Sequence, residues 1–358
     1  MISRVRRLTG FNRRAFLASA AAGLASLSGG APVPAQEPKV LVFSDHEPLG
    51  GMRTRFLKEV LFPAIEAESS GRLRIEDHWN GELAGPYDAM ESVGTGESID
   101  MATVVPEYAA EAMPLHQIFK GFPMGPTGSA QVEFFRRVYR EIPAFAEEMA
   151  ANNLVTTYLG TGYPVAFFGT APIESLDDVA GGSWRTASFW HRALLANVGA
   201  TPVTMPWGPE VPAALRAGTI DGLMVNVDSG YMLNVHEPAP HVLVSRDLWL
   251  GHVYPLAMNK DTWDGLARED RDAIGRAADS AHAALGSVMD ASFDRQIEDL
   301  RDAGATVRVL ERPEVARWVA AGKFEAIQDA WAGEQRAENV EAAPVLAAVR
   351  AIMSDFAR

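Results

Sequence analysis

The sequence predicts an α/β fold in two lobes, and three observations carry that prediction. Short apolar runs of strand length alternate with longer stretches of helical spacing from Val40 onward, the pattern of open sheets covered by helices on both faces. The chain has 358 residues. The roughly 320 that follow its N-terminal segment suit two lobes of about 100–150 residues better than one. No heptad run, internal repeat or low-complexity stretch interrupts the alternation beyond that segment.

The first element is Asn12-Arg13-Arg14-Ala15-Phe16-Leu17, a twin-arginine pattern that opens an apolar run over 15–27. That run is too short, and too rich in Ala, Gly and Ser, to span a bilayer well. Val33-Pro34-Ala35 offers small residues for a peptidase, so residues 1–35 are expected to be an export signal and the product periplasmic. An uncleaved anchor is the alternative reading. Removing 1–35 discards five arginines and no acids, leaving 27 basic against 46 acidic side chains and a formal charge of -19 instead of -14. Nucleic acid is excluded as a partner, because gripping phosphates needs clustered Lys and Arg. An anionic ligand would have to be held by local donors, against the net field. With no cysteine, disulfides, thiolate nucleophiles and cysteine-ligated metals are excluded too.

Residues 40–43 then read as a buried strand, 53–68 as a helix ended by Gly71, and 73–76 as a second strand. Pro86 begins a helix to residue 93, with proline in its first turn. The strand over 152–159 is expected to cross into the second lobe, and the chain to return around 250–258. In the second lobe Gly181-Gly182 breaks a helix, Ser183-Trp184-Arg185 is a short strand, 189–198 has helical spacing, and 201–205 is another strand. A helical run over 269–303 carries Ala277-Ala278, Ala281 and Ala283-Ala284, small residues that let neighbours pack closely.

Arg185 therefore sits near a strand's end, where ligands of such sheets bind. A guanidinium there can hold a carboxylate through two parallel hydrogen bonds, which a lysine cannot match. Stacking among Trp184, Phe189 and Trp190 is the structural alternative.

The pattern Asp177-Asp178-Val179-Ala180-Gly181-Gly182-Ser183-Trp184-Arg185, then Gly199-Ala200-Thr201-Pro202-Val203 and Ala214-Leu215-Arg216-Ala217-Gly218-Thr219-Ile220-Asp221-Gly222, resembles the extracytoplasmic solute-binding proteins of TRAP transporters. Upstream, Glu68-Ser69-Ser70-Gly71-Arg72-Leu73, Asn80-Gly81-Glu82-Leu83 and Val93-Gly94-Thr95-Gly96-Glu97-Ser98-Ile99-Asp100 fit the same family. Downstream, Met258-Asn259-Lys260-Asp261-Thr262-Trp263 fits as well. The resemblance implies a periplasmic-binding-protein-like fold that closes about a hinge, with crossing strands and a long helix spanning both lobes. It places a crossing in that helix near Asp290. The lobes are then 36–160 with 251–290 and 161–250 with 291–335, and 336–358 is a C-terminal helical tail.

The resemblance also implies a receptor that takes a small organic acid to the membrane subunits of a TRAP permease, as a monomer without cofactor. Arg185 falls on the family's carboxylate-binding arginine. Trp207 falls where the family often sets an aromatic ring over the ligand, with plain burial as its alternative. The family's asparagine follows the aspartate by four residues, whereas Asn226 follows Asp221 by five. That shift means either a local bulge or a lost contact. With Met224 and Val225 beside it, this wall favours a small or partly apolar carboxylate over sugar acids. From the first lobe His46 and Glu47 are candidates, or a surface turn of Asp45, Pro48 and Gly50. Tyr87, Tyr163 and His252 add donors near the helix start and the crossings.

An enzyme remains conceivable as a periplasmic lyase or hydrolase working through His and carboxylates, and a sensory binding protein is a further alternative. No spacing demands catalysis: there is no Gly-x-Ser-x-Gly elbow, no His-Glu-x-x-His, and neither Gly94-Thr95-Gly96 nor Gly160-Thr161-Gly162 has the third glycine of a dinucleotide loop. No metal is expected, although His236-Glu237, His241 and His46-Glu47 could in principle gather.

Overall fold

The computed structural model describes residues 37–356, apart from 206 and 250. The export signal expected over 1–35 lies outside the described residues. Among them the strands are β1 (Lys39–Ser44), β2 (Leu73–His78), β3 (Met101–Thr103), β4 (Leu154–Thr161), β5 (Val165–Gly169), β6 (Ser183–Thr186), β7 (Thr201–Thr204), β8 (Gly222–Asn226), β9 (His241–Val244), β10 (Val253–Asn259) and β11 (Thr306–Val309). They form two sheets, one in the order β2-β1-β3-β10-β4 and one in the order β11-β9-β5-β8-β6-β7.

The connectivity sets the geometry of the cleft. β1 is parallel to β2 and β3, and β6 is parallel to β7 and β8, so their carboxyl ends can converge on one crevice. β10 and β5 run antiparallel in the two sheets and bring their amino ends to the same side. The chain passes from the first sheet to the second over 162–164 and returns between β9 and β10. It leaves the first sheet again through the helix Arg268–Asp302, which leads to β11.

That 35-residue helix lies against elements of both sheets. Its buried face is built of Ala273, Ala277, Ala278, Ala281 and Gly286 with larger residues between them. A Cβ on Gly286 would stand 2.4 Å from the backbone of Ser129, so the long helix meets the start of helix Gly128–Glu141 at a distance only glycine permits. Arg246 ties the connection between β9 and β10 to the same helix through Asp290 at 3.0 Å and Asp294 at 2.6 Å.

Two expected helices differ in detail. The run over 53–68 is Met52–Phe56, one wider π turn at Leu57–Leu61, then Phe62–Glu68. Pro63 lacks the amide that a regular α turn needs and crowds the carbonyl four residues back, and the wider turn relieves that clash. The helix expected from Pro86 begins at Ala89, after a turn in which Asp88 and Ala89 donate to the Gly85 carbonyl. The C-terminal helix Ala342–Phe356 is no loose appendage. It buries Val345, Leu346, Val349, Ile352 and Met353 in one aromatic cluster with Phe119, Phe134, Phe135, Trp190 and Trp249. No helix of the described residues is long and apolar enough to cross a membrane.

Candidate ligand-binding site

A polar cavity opens where the strand ends meet. From the first sheet's side it is bordered by His46 and Glu47, just past β1, and by Glu107, Tyr108 and Lys120. Arg185 and Thr186 at the end of β6, Trp207 after β7, and Asn226 at the end of β8 border it from the other side. His252 and Tyr254, where the chain re-enters the first sheet, complete the ring. Val105, Val165, Met224 and Val225 supply an apolar wall.

Arg185 is 2% exposed. Strand alternation puts Trp184 on the opposite face, in an apolar cluster where it meets Phe167 edge-on at 5.7 Å, so the neighbour in sequence does not stack on the guanidinium. Trp207 does, with its ring 5.2 Å from the Arg185 guanidinium carbon. Arg185 donates from Nε and Nη2 to the Met205 carbonyl at 3.0 and 2.7 Å, and also to Tyr108. Among the described residues no carboxylate forms an ion pair with it. Burial pulls its pKa below the ordinary arginine value, and it pushes Tyr108 up to about 12. A buried cation whose protein partners are a carbonyl and a phenol is a charge still lacking its counter-ion.

The first-lobe side is the reverse. Arg53 holds Asp45 through two bonds at 2.5 and 3.1 Å and Glu47 at 3.0 Å, and Lys120 is paired with Glu107. Asp228, on the short helix after β8, faces Glu47 from the second lobe. Burial first, then the Glu47 charge, raises it to about 7.

Two helices begin at the cavity. Ser188, the N-cap of Phe189–Asn197, and Asn226, the N-cap of Val227–Met232, both border it, and neither side chain caps its own helix. At the first of them such a start favours an anion, whereas at Val227–Met232 the Ser229 amide already donates to Asp228 Oδ1 at 2.9 Å. Asn226 reaches the cavity with no bulge, in regular register opposite Val165, and donates to the Tyr254 hydroxyl at 3.3 Å. The expected bulge is absent: the side chain sits at the strand's last residue, where it can turn inward. Gly162 makes room: a Cβ there would lie 2.5 Å from Asn226 Nδ2.

Of the residues expected from sequence, Arg185, Trp207, Asn226, His46, Glu47 and His252 therefore share one cavity. Tyr87 does not line it. It is 55% exposed and its ring lies tilted against that of Tyr108, which does, with centroids 4.8 Å apart. Tyr163 is placed elsewhere altogether: its hydroxyl donates to Ser292 at 2.5 Å and its ring packs on Phe293 of the long helix, because it follows Gly162 by one residue and turns to the other side. Sequence reasoning missed Lys120, Glu107, Tyr108, His191 and Tyr254. Only the His191 position, in the first turn of an expected helix just past Arg185, offered any signal. His236 stacks on Tyr231 at 5.2 Å and Glu237 pairs with Arg216, and among the described residues no group of three or more His, Asp and Glu is arranged to hold a metal.

Comparison with known proteins adds a family. The model of "Bacterial extracellular solute-binding protein, family 7" matches residues 45–331. A solute-binding protein of Chromohalobacter salexigens is 26% identical over 275 residues, covering 74% of this chain and 76% of that one. The ectoine-binding periplasmic protein TeaA of Halomonas elongata is 27% identical over 237 residues, 64% of this chain and 67% of TeaA. Among solved structures, a marine metagenome TRAP solute-binding protein specific for aromatic acids, in complex with 3-hydroxybenzoate, superposes with a TM-score of 0.77. It is 21% identical and covers 90% of this chain and 100% of that one. That likeness carries the two-lobed fold.

Proposed function

The chain belongs to the bacterial extracellular solute-binding proteins of family 7, and from that premise we propose that it captures a small organic acid in the cavity between its lobes. It then delivers that acid to the membrane subunits of a TRAP permease. The family is one of transport receptors, so the lyase or hydrolase alternative is dropped. One observation carries the reading: Arg185 is buried at the junction of the lobes with a carbonyl and a phenol as partners, and a carboxylate would supply the missing charge through two hydrogen bonds. The ligands named for the relatives, ectoine and 3-hydroxybenzoate, both fit a carboxylate anchor of this kind.

Closure follows from the same contacts. Groups from both lobes meet the ligand only when the cleft is shut, so binding energy shifts the open–closed equilibrium toward a surface the permease distinguishes. The lobes of this reading are 36–160 with 251–290 and 161–250 with 291–335. Export by the twin-arginine segment places a monomer in the periplasm, with the transport energy supplied at the membrane.

Thermal-shift screening of the purified protein against organic acids tests the proposal. A ligand at 100 times its dissociation constant should add about 2.7 kcal/mol to stability. Arg185→Ala should abolish that gain. Retention of the full shift with a carboxylate ligand would remove Arg185 from the site.

A further inference from the structure

Two histidines that border the cavity each carry a ring nitrogen that nothing among the described residues satisfies. His191 and His252 both border it and are 4% and 5% exposed. His191 Nε2 and His252 Nδ1 are buried with no hydrogen-bond partner among the described residues. Native proteins retain few such groups, and each is strongly unfavourable unless something else pairs with it. Both rings are neutral: burial first, then the nearby Lys120 charge, and for His191 the Arg185 charge as well, push them well below the ordinary imidazole range. A neutral imidazole offers one N–H and one lone pair.

For His191 the neighbours are compatible with a donor at the unpartnered nitrogen. Thr186 Oγ1 accepts from the Ser188 amide at 3.3 Å, so its own proton is free to go to His191 Nδ1 at 3.1 Å. In the tautomer where Thr186 gives that proton, Nε2 keeps the ring's N–H and is left as a donor. The cationic side of the pocket is also limited. Lys120 is held by Glu107, so among the described lining residues Arg185 alone is left to neutralise a carboxylate.

Resting on the carboxylate reading of Arg185, we propose that the ligand is a monocarboxylic acid bearing a second, uncharged oxygen, a hydroxyl or a carbonyl. That oxygen is recognised by His191 Nε2–H and by His252, which makes these two histidines the specificity residues of the site. Dicarboxylates are disfavoured because a second charge meets neutral rings and a lysine already paired. Unsubstituted acids are disfavoured because they leave the imidazole atoms unsatisfied.

The test is calorimetric titration of the purified full-length mature protein with matched acids: benzoate against 3-hydroxybenzoate, propionate against lactate, and succinate as the dicarboxylate. The oxygenated member of at least one pair should bind about 10- to 100-fold tighter than its partner, and succinate should bind more weakly than that member. His191→Phe should erase the difference within the pair, and His191→Gln, which keeps a donor, should restore part of it. Should His191→Phe not fold, the pairs on the unaltered protein still decide the matter. Saturable binding in which benzoate equals 3-hydroxybenzoate and propionate equals lactate, or in which succinate binds tightest, overturns this inference and leaves the organic-acid reading standing. Failure of every acid to bind overturns both.

Discussion

Two arginines are buried where the lobes meet, and their surroundings are opposite. Arg53 is wrapped by Asp45 and Glu47, takes Thr103 as a further partner, and lies 4.9 Å over the Tyr254 ring. Arg185 has one carbonyl, one phenol and the Trp207 ring. The electrostatics diverge accordingly. Asp45 and Glu47 drive Arg53 above the ordinary arginine value despite its burial, whereas burial drives Arg185 below it. The same residue type thus does two jobs. One guanidinium is satisfied from within and fixes the β1 loop against its helix, and the other is kept short of charge by the fold itself.

The contrast breaks first at Arg53. Arg53→Ala would leave Asp45 buried and unpaired, and loss of one partner from such a network typically costs about 3–5 kcal/mol. Urea unfolding should show that loss with or without ligand. If the variant unfolds within about 1 kcal/mol of the parent, Arg53 is no structural charge and the contrast fails.

Asp228 sharpens it from the other lobe. Its carboxyl faces Glu47, with Arg53, Tyr163 and Tyr254 as the other charged or titratable neighbours. Because its folded pKa, about 7, exceeds the ordinary 3.8, the folded state holds a proton that the unfolded state has released between those values. Stability therefore falls as pH rises from about 4 to 7 and levels off above that. Asp228→Asn should match the parent near pH 4 and exceed it at pH 8, by about 4 kcal/mol at most. Equal pH dependence of the two melting curves would show that Asp228 is ionised in the folded protein.

Arg185→Met should do the reverse of the Arg53 change. It removes a desolvated charge that lacks a counter-ion, so the ligand-free protein should be as stable as the parent or more so. Affinity for the carboxylate ligand should fall at least about 100-fold, the loss of two charge-assisted bonds. Paired denaturation and titration measurements separate the effects. A large loss of ligand-free stability would make Arg185 another Arg53.

How much of this was legible follows the same division. The alternation of strands and helices was readable because each element carries its own period, and Arg185 was readable because a strand, a double glycine and a helix bracket it. Arg53 was not, because one arginine eight residues after Asp45 on an amphipathic helix looks like any solvated cation. Lys120, His191 and Tyr254 come from a 3₁₀ turn, a helix start and an antiparallel strand, and no spacing joins them before the chain folds. Tyr163 misled by adjacency. At the crossing, Gly162 borders Asn226 while the next side chain goes to the long helix.

Gly162 gives the smallest and most selective test. Gly160-Thr161-Gly162 lacks the third glycine of a dinucleotide loop, and its second glycine matters for what it leaves empty. A methyl at Gly162 would stand 2.5 Å from Asn226 Nδ2, 3.0 Å from the Tyr254 ring and 3.2 Å from His252 Cβ. The amide is the flexible end of a side chain and can swing aside, so Gly162→Ala should cost less than about 1–3 kcal/mol of stability, the usual range for overpacking. In moving, Asn226 would lose its bond to Tyr254 and its place at the cavity. Affinity should therefore drop several-fold, about 1 kcal/mol, while Arg185 stays where it is. Adding Asn226→Ala to Gly162→Ala should then bring little further loss of affinity, since both changes remove one contact. Fully additive losses in that double-mutant cycle would mean that the glycine shapes the cavity by some route other than Asn226.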